Sequence, residues 1–101
     1  MTYKVLLLDG AKTDIKEARA YYNSLVPGLG KRFKIDLIKI ILQLQGNPQI
    51  FGFRFNAFRT ANLQIFPYQV HYRIKEEHSA VIIFAVLHAY KDPDFIKDRI
   101  T

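Results

Sequence analysis

His88, Tyr90 and Lys91 stand together in the run His88-Ala89-Tyr90-Lys91. A histidine exchanges protons near neutral pH, a phenol can donate one, and an ammonium holds an anion. With a guanidinium to grip phosphate, these types could cleave RNA without a metal. That reaction needs a base for the 2′-OH, cations on the phosphate and an acid for the leaving 5′-oxygen. Arg59 is the candidate phosphate holder, because its planar fork binds phosphate bidentately and keeps its charge at any working pH. His88 and Tyr90 are the candidates for proton transfer. His71, Arg73, Lys75 and Lys91 are the candidate substrate-binding residues, although Lys and Arg on a sheet face are also ordinary surface composition. Other chemistries lack their residues. The chain has no cysteine and no Gly-rich phosphate loop. Its three histidines, 71, 78 and 88, lack the close spacing of a metal site, and nothing completes a calcium loop around Asp92, Asp94 and Asp98. No metal and no cofactor is expected.

The element that delivers His88 and Tyr90 is the apolar run 80–87, AVIIFAVL. Its β-branched and aromatic side chains fit a pleated surface, and it lacks the polar alternation of a half-buried strand. It reads as an internal strand covered on both faces. Residues 68–75 alternate cleanly: Tyr68, Val70, Tyr72 and Ile74 face one way, and Gln69, His71, Arg73 and Lys75 the other. That strand should pack one face under helices and carry cations on the other. A polar turn at 76–79 joins the two strands.

The remaining segments are shorter to read. Residues 3–8 form a first, mostly buried strand ended by Asp9-Gly10. Residues 11–25 carry Ile15, Ala18, Tyr22 and Leu25 at helical spacing, with Thr13 or Asp14 as cap and Asp14 with Glu17 at capping-box spacing. Val26-Pro27-Gly28 breaks this helix, and residues 29–45 form a second. Gly46 supplies a left-handed cap there, and Pro48 ends the helix. Residues 49–57, interrupted by Gly52 and Asn56, pass from loop into strand. Residues 59–66 make the second strand, Pro67 a bend, and residues 94–100 a helical turn or a frayed end.

The order β-α-α-β-β-β predicts a single small α+β domain over residues 1–101. A helical hairpin should pack on one face of a mostly antiparallel four-stranded sheet, with the first strand beside 80–87 and the other face partly open. Half of the 101 residues are hydrophobic, enough for one core. Fifteen Lys and Arg against nine Asp and Glu give a net charge of +6, which favours anionic partners. The apolar runs are too short for a signal peptide or a membrane span, so a cytoplasmic, soluble protein with no membrane partner is expected.

Several stretches in order resemble one family. They are Asp14-Ile15-Lys16-Glu17-Ala18 with Tyr21-Tyr22, then Gly28-Leu29-Gly30 with Phe33, and Asn47-Pro48. Arg59 with Ala61, Phe66-Pro67-Tyr68, Val70 and Tyr72 follow, and Ala85-Val86-Leu87-His88 with Asp92-Pro93 ends the set. Together they resemble the RelE/ParE toxins of type II toxin–antitoxin, or plasmid stabilisation, systems. The resemblance implies a toxin held in a hetero-oligomer with a cognate antitoxin, whose C-terminal segment wraps and neutralises it. One branch of the family cleaves mRNA in the ribosomal A site, and the other inhibits DNA gyrase. Phe66-Pro67-Tyr68 and His88 with Asp92-Pro93 look closer to the ParE side. The expectation is therefore growth arrest through gyrase. The alternatives are a ribosome-dependent mRNA endonuclease and an inactive, basic protein-binding module.

Overall fold

The computed structural model describes residues 2–55, 58–91 and 93–100; Asn56, Ala57 and Asp92 from the readings above lie outside them. Strand β1 (Lys4–Leu7) leads into helix α1 (Asp9–Leu25), which turns into helix α2 (Leu29–Gly46). Strands β2 (Phe53–Phe55), β3 (Phe58–Asn62), β4 (Tyr68–Lys75) and β5 (Ala80–His88) follow, and helix α3 (Pro93–Ile100) comes last. The sheet runs β1-β5-β4-β3-β2, with β1 parallel to β5 and the other pairs antiparallel. It therefore has five strands, not four. The extra one, β2, is a three-residue edge strand paired to β3 through Phe53–Arg59 and Phe55–Phe58.

The hairpin forms where the apolar stripes require it. Ala11, Ala18 and Tyr22 of α1 are buried, as are Phe33, Leu37, Ile40 and Leu44 of α2. They cover one sheet face with Val70, Tyr72, Val81, Ile83 and Val86. The turn between the helices needs two glycines. Gly28 takes a left-handed φ of 89° as the residue preceding α2. A side chain at Gly30 would start 2.7 Å from the Arg19 carbonyl oxygen, so the helices can meet there only around glycine. The Gly30 N–H, an orphan donor of the first turn, donates to Asn23 Oδ1 at 2.8 Å.

Helix ends differ from the sequence reading. Helix α1 begins at Asp9, and Leu8 precedes it with no side-chain cap. Asp14 lies inside the helix and caps nothing; its carboxylate turns toward β5. Gly46 is the last helical residue and not a left-handed cap, since Asn47 leaves the helix with a φ of −153°. Strand β1 is half open, with Leu6 at 45% exposure, because it forms the edge of the sheet.

Strand β5 is covered on both faces, as its apolar run requires. Its pairing with β4 shifts register: His71 opposes Ala85 while Tyr72 opposes Ile83, which leaves Phe84 as an extra residue. The bulge turns Phe84 and Ala85 to the face away from the hairpin. There they join Phe58, Leu87 and Ile96 in a second cluster beneath α3. That face was expected to stay partly open; α3 covers its upper half, and Arg73 and Lys75 remain exposed beyond it.

A buried carboxylate ends β3 early. Asp36 of α2 is 1% exposed and accepts from the backbone N–H of Ile65 and Phe66, each at 2.9 Å, and of Gln64 at 3.3 Å. Those amides cannot then serve a strand ladder. The expected strand over 59–66 stops at Asn62, and residues 63–67 form a bend held on Asp36.

Candidate binding cleft at the end of the central strand

The bend sets the site. Leu63 N–H donates to the Tyr68 carbonyl at 3.0 Å, and Ala89 N–H to the Pro67 carbonyl at 2.8 Å. The last residue of β5, His88, is thereby registered against Tyr68, the first of β4. Tyr68 is itself wedged against Phe33, with ring centroids 5.0 Å apart. The Tyr68 and His88 rings meet edge to face at 5.4 Å, and His88 lies 5.4 Å from the ring of Tyr90. The rings thus form a row from the core to solvent, where Tyr90 is 88% exposed.

Between this row and α1 lies a cleft of about 260 Å³, lined by Asp14, Glu17, Tyr21, Tyr68, His88 and Lys91. His88 Nδ1 accepts from the Tyr90 backbone N–H at 3.2 Å, so the neutral ring carries its proton on Nε2. Burial pushes the Tyr68 phenol up from its usual range, and neighbouring Tyr22, Tyr21 and Asp14 add to the effect. Its hydroxyl therefore stays protonated at neutral pH. Lys91 Nζ lies 4.9 Å over the Phe95 ring.

Asp14 closes the inner wall. Its Oδ2 accepts from Val86 N–H at 3.0 Å, and its two oxygens take Arg99 Nη2 at 3.0 Å and Nη1 at 3.2 Å. Arg99 Nη2 also donates to the Phe84 carbonyl at 2.9 Å. This bidentate pair ties α3 to α1 across β5. No arginine lines the cleft.

The sequence candidates are not gathered in one place. His88, Tyr90 and Lys91 are together, while Arg59 is elsewhere. It pairs with Tyr72, four residues along β4 from the partner of His88. The separation is about 13 Å along the strands and two strand spacings of about 4.8 Å across them. Its Nη1 donates to the carbonyls of Phe51 at 2.6 Å and Gln49 at 3.2 Å, and its guanidinium lies 4.0 Å over Phe53. Arg59 thus organises the connection into β2. Arg73 and Lys75 are exposed at the far end of β4, opposite Ile82 and Ala80.

His71 requires a correction. It does lie on the face away from the hairpin, but α3 covers that face and His71 is fully buried between Phe58 and Phe84. Its Nδ1 bonds Thr60 Oγ1 at 2.9 Å, and burial, with Arg54 and Arg99 adding, lowers its pKa to about 4. It is neutral at pH 7 and out of reach of any substrate, so it is not a binding cation.

Sequence reasoning missed Asp14, Glu17, Tyr21 and Arg99 as parts of the cleft and its wall. One signal was present. Asp14 falls three residues after Ala11 and four before Ala18, inside the apolar stripe. An acid in that position needs an internal partner. Among the described residues no group of His, Asp and Glu is placed to hold a metal ion. No described helix is long and apolar enough to cross a membrane.

Residues 5–93 match the family model of the ParE toxin of the type II toxin–antitoxin system, parDE. Among solved structures, a chain of the chromosomal ParDE toxin–antitoxin system from P. aeruginosa superposes with a TM-score of 0.74 at 19% identity, over 86% of this chain and 96% of that one. A chain of the RelBE2 toxin–antitoxin complex from Mycobacterium tuberculosis gives 0.65 at 22% identity, over 87% and 99%. A free-state mutant of E. coli RelE gives 0.64 at 16% identity, over 99% and 96%. At such identities the likeness is one of fold. No curated protein sequence matches.

Proposed function

Since the chain belongs to the ParE toxin family of type II toxin–antitoxin systems, we propose that it arrests growth by acting on DNA gyrase. A cognate antitoxin neutralises it in a hetero-oligomeric complex. The antitoxin reading is supported by the neighbouring structures, two of which come from ParDE and RelBE2 toxin–antitoxin systems.

The observation that carries the gyrase reading is the separation of Arg59 from His88 and Tyr90. A nuclease needs its phosphate holder and the group that moves the proton to reach the same phosphodiester. Here the guanidinium is committed to two backbone carbonyls at the other end of the sheet. What the end of β5 offers is a recognition surface: an exposed Tyr90, a histidine with one free nitrogen, and Lys91 beside a cleft. Exposed Tyr side chains are frequent anchors of protein interfaces. His88, Tyr90 and Lys91 are therefore proposed as target contacts.

The test is inducible expression with two parallel readouts, supercoiling by gyrase and cleavage of translated mRNA. The wild type should inhibit supercoiling, and Tyr90→Ala should raise the inhibitory concentration about 30-fold, as for an anchor residue contributing about 2 kcal/mol. Discrete A-site cuts that disappear in His88→Ala, Tyr90→Phe or Arg59→Ala would replace this reading with a ribosome-dependent nuclease. Expression without growth arrest would leave an inactive binding module.

A further inference from the structure

The outer seam of the α1–α2 hairpin carries cations that no acid answers. Lys12, Lys16 and Arg19 recur at i, i+4 and i+7 along α1, so they share one face. The bond from Gly30 N–H to Asn23 sets α2 against this side of α1. Lys34, one turn on from Gly30, then lies across from the turn that holds Lys16. Lys31 flanks the same seam. Lys12, Lys16, Lys31 and Lys34 are all exposed. Among the described residues, none of these four lysines has a side-chain hydrogen bond or ion pair, and Arg19 Nε is buried without a partner.

Asp9, one turn before Lys12 on α1, forms no ion pair with them, and the other nearby acids are engaged elsewhere. Asp14 holds Arg99 and the Val86 amide. Asp36 is buried on the amides of residues 64–66. Glu17 lines the cleft on the other side of α1. Tyr21, the exposed ring of α1, lines the cleft as well. The α1 side of the seam instead presents Thr13, Ala20 and Asn23 among its cations. A cationic surface without a stacking ring suits the paired backbone of a duplex better than unpaired bases.

We propose that this seam is a phosphate-backbone contact for double-stranded DNA. The choice of DNA over an RNA duplex rests on the gyrase reading above, since gyrase works on duplex DNA.

The test measures binding of the purified chain to a short labelled DNA duplex by fluorescence anisotropy, with no gyrase present. Neutralising about five phosphates predicts a slope near −4.5 for log K against log salt, a loss of roughly 500-fold between about 50 and 200 mM. The triple variant Lys12→Glu, Lys16→Glu, Lys34→Glu should bind at least about tenfold more weakly and lose most of that slope. The control is Lys4→Glu, Arg32→Glu, Lys39→Glu. Its three side chains are also exposed, and at about 100° per residue Arg32 and Lys39 lie on the side of α2 turned from α1. Each set reverses three charges and takes the +6 chain to zero. Strong binding retained by the control and lost by the seam variant supports the assignment. Equal losses in the two variants overturn it, because net charge alone would then explain binding. Failure of the wild type to bind the duplex, or tighter binding to polyglutamate or to a matched RNA duplex, overturns it too. Supercoiling is read separately. A wild type that binds DNA through the seam but leaves gyrase untouched supports the seam and removes the gyrase reading. A wild type that inhibits gyrase without binding free duplex does the reverse.

Discussion

Replacing Asp36 with Ala should loosen the bend that sets Tyr68 against His88. The carboxylate is 1% exposed and receives three backbone amides, two of them at 2.9 Å. A hydrogen bond to a charged acceptor contributes about 1.5–3 kcal/mol, so the two short ones together stand at about 3–6 kcal/mol. The three amides do not lose equally. Ile65 is 64% exposed and its freed N–H can turn to water, whereas Phe66 is 8% exposed and its N–H is stranded. Asp36→Ala should therefore cost about 3–4 kcal/mol. Asp36→Asn keeps one oxygen for the Phe66 amide but turns an NH2 toward another donor, and should cost about 1–3 kcal/mol. Urea unfolding measures both as a shift in midpoint at unchanged m. The functional consequence follows from register. The carbonyl of Pro67 holds Ala89, and Tyr68 pairs with His88, so a loosened bend should also weaken the proposed gyrase inhibition in a variant that is still folded. A loss below about 1 kcal/mol in Asp36→Ala would refute the reasoning, because the amides would then be satisfied without the carboxylate.

His71 should make the protein acid-sensitive. Its folded pKa of about 4 lies below the unfolded value of 6.5, so the unfolded chain takes the proton first as pH falls. Its contribution is complete above pH 6.5 and should be lost toward pH 4, by about 3 kcal/mol, with His71→Leu flattening that part of the stability profile. Phe84→Ala should cost about 3–5 kcal/mol in chemical denaturation, since Phe84 is 4% exposed and packed on Phe58 within the small cluster beneath α3. An effect under about 1 kcal/mol would mean that the second cluster is not a core. Arg99→Ala should release α3 by removing both its bond to Asp14 and its bond to the Phe84 carbonyl. Hydrogen exchange should rise in α3 before α1 and α2, and uniform exchange across the chain would contradict a local tie.

Most of the layout was legible because it follows from apolar periodicity. The stripes of α1 and α2, the alternation of β4 and the unbroken run of β5 each have one low-energy arrangement, with the hairpin on one face and β5 internal. What stayed hidden depends on side chains that break those periods. An apolar run such as Val81-Ile82-Ile83-Phe84-Ala85-Val86 reads the same with or without a bulge, so the turn of Phe84 and Ala85 toward α3 could not be read from it. Strand β2 is three residues long and follows a glycine, which is too short for a period to show. The early end of β3 was hidden because Asp36 takes its amides from 28 to 30 residues away in sequence.

For the site, residue type was informative and proximity was not. Arg59, His71, Arg73, Lys75, His88, Tyr90 and Lys91 all have the chemistry a nuclease uses, yet register distributes them to different ends and layers of the sheet. His71 and His88 illustrate the point. One is sealed beneath α3 by the packing of Ile96, Phe58 and Phe84, while the other is held at the mouth of a cleft by its pairing with Tyr68. The acids carry the complementary lesson. Asp14 and Asp36 each interrupt an apolar stripe at a spacing of three or four from buried neighbours, and each proves to be bound by groups from a distant element. A buried carboxylate without such partners would be strongly unfavourable, so its place in a stripe is itself a sign of a long-range contact. The same two acids are turned inward to hold β5, α3 and the 63–67 bend, so Asp9 at the start of α1 is the acid left beside the lysines of the hairpin seam, and it forms no ion pair with them. Inward bonding of Asp14 and Asp36 thus adds to the +6 balance in keeping that outer surface cationic.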